Sequence, residues 1–408
     1  MTQLDRDFVR KQFPAFSDIS LSDTVFAENA GGSYMCRQVM ERLEEYYRQC
    51  KVQPYYPNAV SMKAGNMMNE AYTSLSAWLN VEAENIYFGP STSQNTYVLA
   101  NAMMGWLKAG DEIIVTNQDH EANIGAWRRF EQLGIVVKEW QIDGETGALY
   151  IDKLKALISD KTRLLTFPHC SNILGEINPV SEICEIAKSH NIRTVVDGVS
   201  FAGHGLPDVP ALGADIYLFS LYKVYGPHLG VMVITNDMAE NLSNQGHFFN
   251  AEIREKRLMP AGPDHAQIAA VKGVCDYFEA IYQHYYKNEA ATKSEKAQAV
   301  RDLLREGEKE PLNMLLDYID KRDDLKLIGP VSNRAATVSV VPLNRSPIEV
   351  AENLGKQGVL CGAGHFYSVR LLEAMEIDSS EGVLRFSLVH YSTPEEVDRL
   401  IVALNNVL

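Results

Sequence analysis

Between about residue 85 and residue 235, short apolar runs alternate with stretches of helical spacing, and that rhythm restricts the chain to few architectures. The runs read NIYFG, DEIIVT, IVVKEWQI, RLLTF, RTVVD, DIYLFS and GVMVIT. Rich in β-branched and aromatic residues, they form the pattern of a largely parallel sheet wrapped by helices. An α/β fold is therefore expected. Between the first two runs, STSQNTYVLANAMMGWLKAG opens with serine and threonine at a helix N-cap, carries helical apolar spacing and meets a stop at Gly110. Residues 35–50 place Met35, Val39, Leu43 and Tyr46 on one helical stripe.

A charged, helix-favouring stretch, KNEAATKSEKAQAVRDLLREGEKEPLNMLLDYI, separates this region from a later alternating run, AATVSVVPL. Two domains dividing near residue 290 suit a chain of 408 residues. The tail TPEEVDRLIVALNNVL begins with a helix-start signal and carries Val397, Ile401 and Leu404 as a docking stripe. With 46% hydrophobic and 22% charged residues, the whole chain is expected to fold. Its formal net charge of −15 disfavours nucleic acid and anionic membranes as partners. No apolar run approaches the roughly 18 residues of a membrane span, and MTQLDRDFVRKQFPAF lacks a signal peptide's apolar block, so a cytoplasmic enzyme is expected. The six cysteines form no C-x-x-C pair and the ten histidines no H-E-x-x-H, which predicts unpaired buried thiols and no metal site.

Ligands of α/β sheets collect beyond the carboxyl ends of the strands. Polar residues stand there in this chain: Ser91, Thr92 and Ser93 after the first run, then His120, then His169, Ser171 and Asn172, then Asp197. Each alone admits an ordinary reading as a cap, a loop histidine or a turn residue. Lys223 is harder to dismiss. It sits between aromatic residues at a strand mouth, just before Gly226, Pro227 and Gly230. A crowded, partly dry setting lowers an amine's pKa and makes it a nucleophile. Hydroxyls for a phosphate, a flat ring, a carboxylate and a lysine, in this order, suit one cofactor, pyridoxal 5′-phosphate.

The stretches FAENAGGSY, DHEANIGAW, HCSNILGEINPV, VVDGVSFAGHGLPDVPALGADIYLFSLYKVYGPHLG, GHFYSVRLLEAM and LRFSLVHYSTPEEVDRL extend the pattern over nearly the full length. Through them the chain resembles the class V aminotransferase-fold enzymes, a group containing cysteine desulfurases, isopenicillin N epimerase and related C–S lyases. The resemblance implies the pyridoxal-phosphate fold-type I architecture: an N-terminal segment at 1–25 packing with the small domain, a large cofactor-binding domain at 26–289, and a smaller α+β domain at 290–408. It makes Lys223 the Schiff-base lysine, Asp197 the partner of the pyridine nitrogen and His120 the ring stacked on the cofactor. Thr92, Ser93, Ser220 and Tyr222 would hold the phosphate, and Asn172 and Ser200 would bond the cofactor's ring oxygen. Arg385 would clamp a substrate α-carboxylate, with Asn172 and His365 beside it. A homodimer is implied as well.

The chain departs from the desulfurase pattern in four places. Tyr222 stands where histidine often precedes the lysine, Ser200 where glutamine often follows the aspartate, and Gly262–Pro263 where glycine–threonine is common. Tyr367 occupies the position of one branch's persulfide-forming cysteine. Cys361, nearby, reads as a small core residue. A C–S lyase acting on cysteine or a cysteine derivative is the first expectation, with Tyr367 either a proton donor to the leaving group or purely structural. An aminotransferase or amino-acid epimerase is the second. DGVSFA resembles a serine nucleophile elbow, but the glycines and prolines after it oppose the helix that an elbow requires. A binding protein that kept only the fold is opposed by the intact Lys223, Asp197 and His120.

Overall fold

The computed structural model describes residues 3–408. All seven apolar runs are strands: β2 (Ile86–Gly89), β3 (Glu112–Thr116), β4 (Val136–Trp140), β5 (Thr162–Pro168), β6 (Arg193–Asp197), β7 (Ile216–Ser220) and β8 (Gly230–Ile234). They form one sheet in the order β2-β8-β7-β6-β5-β3-β4. Strands β7, β6, β5, β3 and β4 run parallel, whereas β8 is antiparallel to both of its neighbours. The reversal arises because β7 and β8 are joined by a short loop instead of a helical crossover. That loop carries Lys223. Val195, Val196, Ile216, Leu218 and Phe219 are fully buried, so the middle of the sheet has no wet face. Burying such side chains contributes about 1.5–3 kcal/mol each, which makes this sheet a rigid base for the loops at its carboxyl end.

The helix Thr92–Met103 is capped by Ser91, whose Oγ accepts from the Gln94 N–H, and it ends well before Gly110. Helix Arg37–Gln49 lies with helices Ala59–Leu79 and His265–Tyr285 in one layer; Val39 and Tyr46 of its expected stripe are buried. Only a 3-10 turn, Ala202–His204, follows the DGVSFA segment, so the geometry of a nucleophile elbow is missing there.

A second sheet, ordered β12-β13-β10-β9, combines β9 (Leu325–Ile328), β10 (Thr337–Pro342), β12 (Gly362–Gly364) and β13 (Val383–Ser387). It is antiparallel and backed by helices Pro347–Gly355 and Pro394–Val407, the latter started by a Thr393/Glu396 capping box. Residue 290 falls between helices His265–Tyr285 and Lys293–Asp320, and the second of these packs on elements of both units.

The N-terminal segment also touches both. Arg10 bonds Glu396 of the last helix through both terminal nitrogens, at 3.0 Å each, while Phe13 inserts among the rings of Tyr225, Tyr277, His390 and Tyr391. Strand β1 (Val25–Phe26) then pairs in parallel with β11 (Val359–Leu360). The next residues are fastened to the end of β13: the Asn29 amide donates to the Ser387 carbonyl at 2.8 Å, and the Ala30 N–H donates to Ser387 Oγ at 2.7 Å. Among the described residues no helix is long and apolar enough to cross a membrane.

Candidate active site

A cleft opens at the carboxyl end of the large sheet, lined by Ser91, Thr92, Ser93, Asp119, His120, Ala122, Cys170, Asn172, Asp197, Val199, Ser200, Ser220, Tyr222 and Lys223. The expected Thr92, Ser93, His120, Asn172, Asp197, Ser200, Ser220, Tyr222 and Lys223 thus meet in one place. Arg385, His365 and Tyr367 stand behind or above this cleft and are not part of its lining.

One wall is the start of helix Thr92–Met103, whose first-turn N–H groups have no intrahelical acceptor and carry the positive end of the helix dipole. The Thr92 hydroxyl ties it to β7: Oγ1 donates to the Phe219 carbonyl at 2.9 Å and lies 2.7 Å from Ser220 Oγ. The helix can approach β8 this closely because residue 230 is glycine. A Cβ there would lie 2.4 Å from the backbone C of Ser91 and N of Thr92. Tyr222 stacks on His228 with ring centroids 4.7 Å apart.

The floor is acidic and dry. The Asp197 carboxylate, at the end of β6, accepts from the Val199 N–H at 2.8 Å. Burial raises its pKa to about 6, against the opposing pull of that N–H and of Lys223. Burial, then repulsion from Asp197, pushes the Asp119 carboxyl well above the usual carboxylate range, and Asp119 accepts from its neighbours' groups, the His120 N–H at 2.8 Å and the Asn123 amide at 2.6 Å. Two carboxyl groups so close in a dry site disfavour double ionisation.

His120 Nδ1 accepts from the Ala122 N–H at 3.0 Å, which leaves the ring neutral with its proton on Nε2. Burial, followed by the charges of Lys223 and Arg385, pulls its pKa down to about 4. Burial and the Arg385 charge likewise draw the Lys223 ammonium down to about 8, while Asp197 and Glu28 oppose them.

Above the cleft lies the loop 365–368. Phe366 and Tyr367 both take left-handed backbone angles, φ 46° and 60°, unusual for aromatic side chains and a store of strain. Asn172 holds this loop with both ends of its amide: its nitrogen donates to the Phe366 carbonyl at 3.0 Å, and its oxygen accepts from Ser368 at 2.8 Å. Tyr367 is exposed and its ring centroid lies 5.1 Å from that of His120. Exposed His365 accepts the Tyr367 N–H on Nδ1 at 3.0 Å. Cys361, between β11 and β12, is partly buried, and burial pushes its thiol up to about 12, as expected of an inert packing residue. Pro263 lies with His228 and Pro90 at a separate surface depression.

Arg385, on β13, is buried. Its guanidinium donates to the Asn172 carbonyl at 3.1 Å and to Glu28 Oε1 at 2.9 Å, and the Phe366 ring covers it with the centroid 3.6 Å from Cζ. Sequence reading missed Asp119, Cys170, Val199 and Glu28. Asp119 carries a signal, since it continues the polar strand end that supplies His120; Glu28 carries none, because its partner is far away in sequence.

The family model described as aminotransferase class-V matches residues 25–400. The aminotransferase-like protein FGM3 of Gibberella zeae is 34% identical, over 98% of this chain and 98% of its own. A cysteine desulfurase of Yersinia pestis is 27% identical, over 98% of this chain and 97% of its own. Among solved structures, the apo cysteine desulfurase of Thermococcus onnurineus NA1 superposes with a TM-score of 0.86 at 22% identity, covering 100% of this chain and 99% of that one. The cysteine desulfurase CsdA of Escherichia coli gives 0.82 at 20% identity, with the same coverage. At such identities the two structures speak to the fold alone.

Proposed function

The chain belongs to the aminotransferase class-V family, and from that premise we propose that it is a pyridoxal-phosphate-dependent C–S lyase of the cysteine desulfurase type, acting on cysteine or a cysteine derivative. One observation carries the reading: Lys223, its ammonium brought down to about 8, shares a cleft with a helix N-terminus, a neutral ring and a buried carboxylate. The donor set fits the cofactor. Ser93 presents a hydroxyl and the helix start presents free N–H groups where a phosphate needs them, while Thr92 and Ser220, bonded to each other, line the same wall. Asp197 is the anion available to a protonated pyridine nitrogen, and His120, neutral and flat, can lie against an aromatic face.

When bound, the cofactor supplies an electron sink for a carbanion at the substrate's Cα. The protein supplies the rest. Lys223 would hold the cofactor by its aldehyde, and its Nζ, on an amine brought down to about 8, would be the base for the Cα proton. The buried floor excludes bulk water from this proton transfer. Arg385 offers a guanidinium to the substrate carboxylate, and Asn172 ties down the loop 365–368 through both ends of its amide. Tyr367, exposed beside His120, is the hydroxyl available to a departing sulfur.

Transamination is the second reading, favoured by the 34% identity to an aminotransferase-like protein against 27% to a desulfurase. Incubating the pyridoxal-phosphate-loaded protein with L-cysteine and other amino acids separates the two. With dithiothreitol as reductant, sulfide with alanine supports desulfuration, and sulfide with pyruvate and ammonia supports β-elimination; a keto acid without sulfide supports transamination. Borohydride reduction followed by peptide mapping should find a pyridoxyl group on Lys223, and its absence sinks both. The exposed Phe248 and Phe249 support a homodimer, which a sedimentation experiment checks.

A further inference from the structure

The guanidinium assigned to the substrate's carboxylate already has a carboxylate. Glu28 Oε1 lies 2.9 Å from Arg385 Nη2, and the seat of this carboxylate is built by two glycines. A Cβ on Gly31 would fall 2.6 Å from Glu28 Oε1, and one on Gly362, which faces Arg385 across β12 and β13, would fall 2.5 Å from Oε2. The backbone on either side is pinned as well: Glu28 bridges to Ser387, and Asn29 and Ala30 bond that residue. The pairing is also incomplete, since Glu28 Oε2 and Arg385 Nε are both buried without a partner. An ion pair built only for stability would use these groups, because a buried unpaired donor or acceptor costs free energy.

We propose that Glu28 is a specificity-determining residue, a resident carboxylate that occupies Arg385 until a substrate carboxylate displaces it. This rests on the reading of Arg385 as the carboxylate clamp. In the empty site Glu28 compensates a cation that would otherwise be buried alone beside Lys223. An incoming carboxylate meets a neutral pair in place of a bare charge, so acids that bind through that group alone are held weakly. An amino acid has a second point of attachment through its amine at Lys223, and it alone gains enough to push Glu28 aside. The device therefore selects amino acids against simple carboxylic and keto acids.

Propionate, a carboxylate without an amine, isolates this term when titrated calorimetrically into the cofactor-loaded protein. Removing the competing charge in Glu28→Gln should tighten propionate binding at least about tenfold, a modest share of the repulsion between two carboxylates around one guanidinium. Gly31→Ala keeps the charge but shifts the carboxylate, and should tighten binding several-fold. Arg385→Gln should abolish it. Equal or weaker propionate binding in both Glu28→Gln and Gly31→Ala, each with a native thermal melt, overturns the proposal; Glu28 would then merely orient Arg385. Undiminished binding by a folded Arg385→Gln variant removes the clamp assignment itself, and this proposal with it.

Discussion

Replacing Lys223 with methionine should abolish activity and yet make the cofactor-free protein more stable at neutral pH. The reasoning starts from the drop of its pKa from 10.5 to about 8. An unfolded lysine binds its proton below about 10.4, whereas the folded one releases it above about 8. Between those values the unfolded chain holds more protons, so wild-type stability falls as the pH drops from 10.5 to 8 and stays low beneath that. For an amine sealed from water the loss would be about 3 kcal/mol. Lys223 keeps one face open to the cleft, and water there recovers part of it, leaving about 2 kcal/mol. With an unfolding entropy typical for this length, that corresponds to about 2 °C in Tm. The assay compares wild-type and Lys223→Met apoproteins by thermal melts at matched scan rates, from pH 7 to pH 10.5. Packing differences between the side chains shift every point equally, so the pH-dependent part is diagnostic. The variant's advantage should be full below pH 8 and fade by pH 10.5. A constant or inverted difference would refute the claim that the fold holds this amine against its own solvation.

Further outcomes follow from the same geometry. Gly230→Ala places a Cβ 2.4 Å from the backbone of Ser91 and Thr92, which cannot yield as a side chain would; a loss of about 1–3 kcal/mol is expected, with weakened cofactor uptake by absorbance titration. Asn172→Ala removes both ties to the loop 365–368, and should cost about 1–3 kcal/mol and speed amide exchange at residues 366–368; unchanged exchange would contradict the assignment. Burial holds His120 down to about 4, and His169 and His390 to about 3. All three folded values lie below the unfolded one near 6.5, so the stability they contribute is complete above pH 6.5 and drains as the pH falls toward 3. Each adds a slope approaching about 1.4 kcal/mol per pH unit in that window, and flat melting between pH 6.5 and pH 5 would count against it.

The strands were legible because each is a short apolar run bounded by polar residues, and the cleft was legible because its residues follow those runs directly. Lys223, Asp197 and His120 could be placed at strand ends from the sequence alone. The direction of β8 could not: GVMVIT is buried on both faces, so its pattern is the same whichever way it runs. Helix Lys293–Asp320 shows composition outweighing one residue, since it passes through Pro311 without ending. The pairing of Glu28 with Arg385 lay beyond periodicity, which describes near neighbours only. Asn172 was read as a ligand of cofactor or substrate, whereas its amide is engaged with a loop whose left-handed aromatic residues no propensity would suggest.

The union of β1 with β11 bears on how the polypeptide emerges during synthesis. Val25 leaves the ribosome long before Val359, its pairing partner, is made. At about 5–20 residues per second the wait is roughly 15 s to a minute. Throughout that interval the strand that leads into Glu28 has no mate, and its backbone edge stays open. A product that stops before Val359 therefore lacks the pairing that steadies the approach to Glu28.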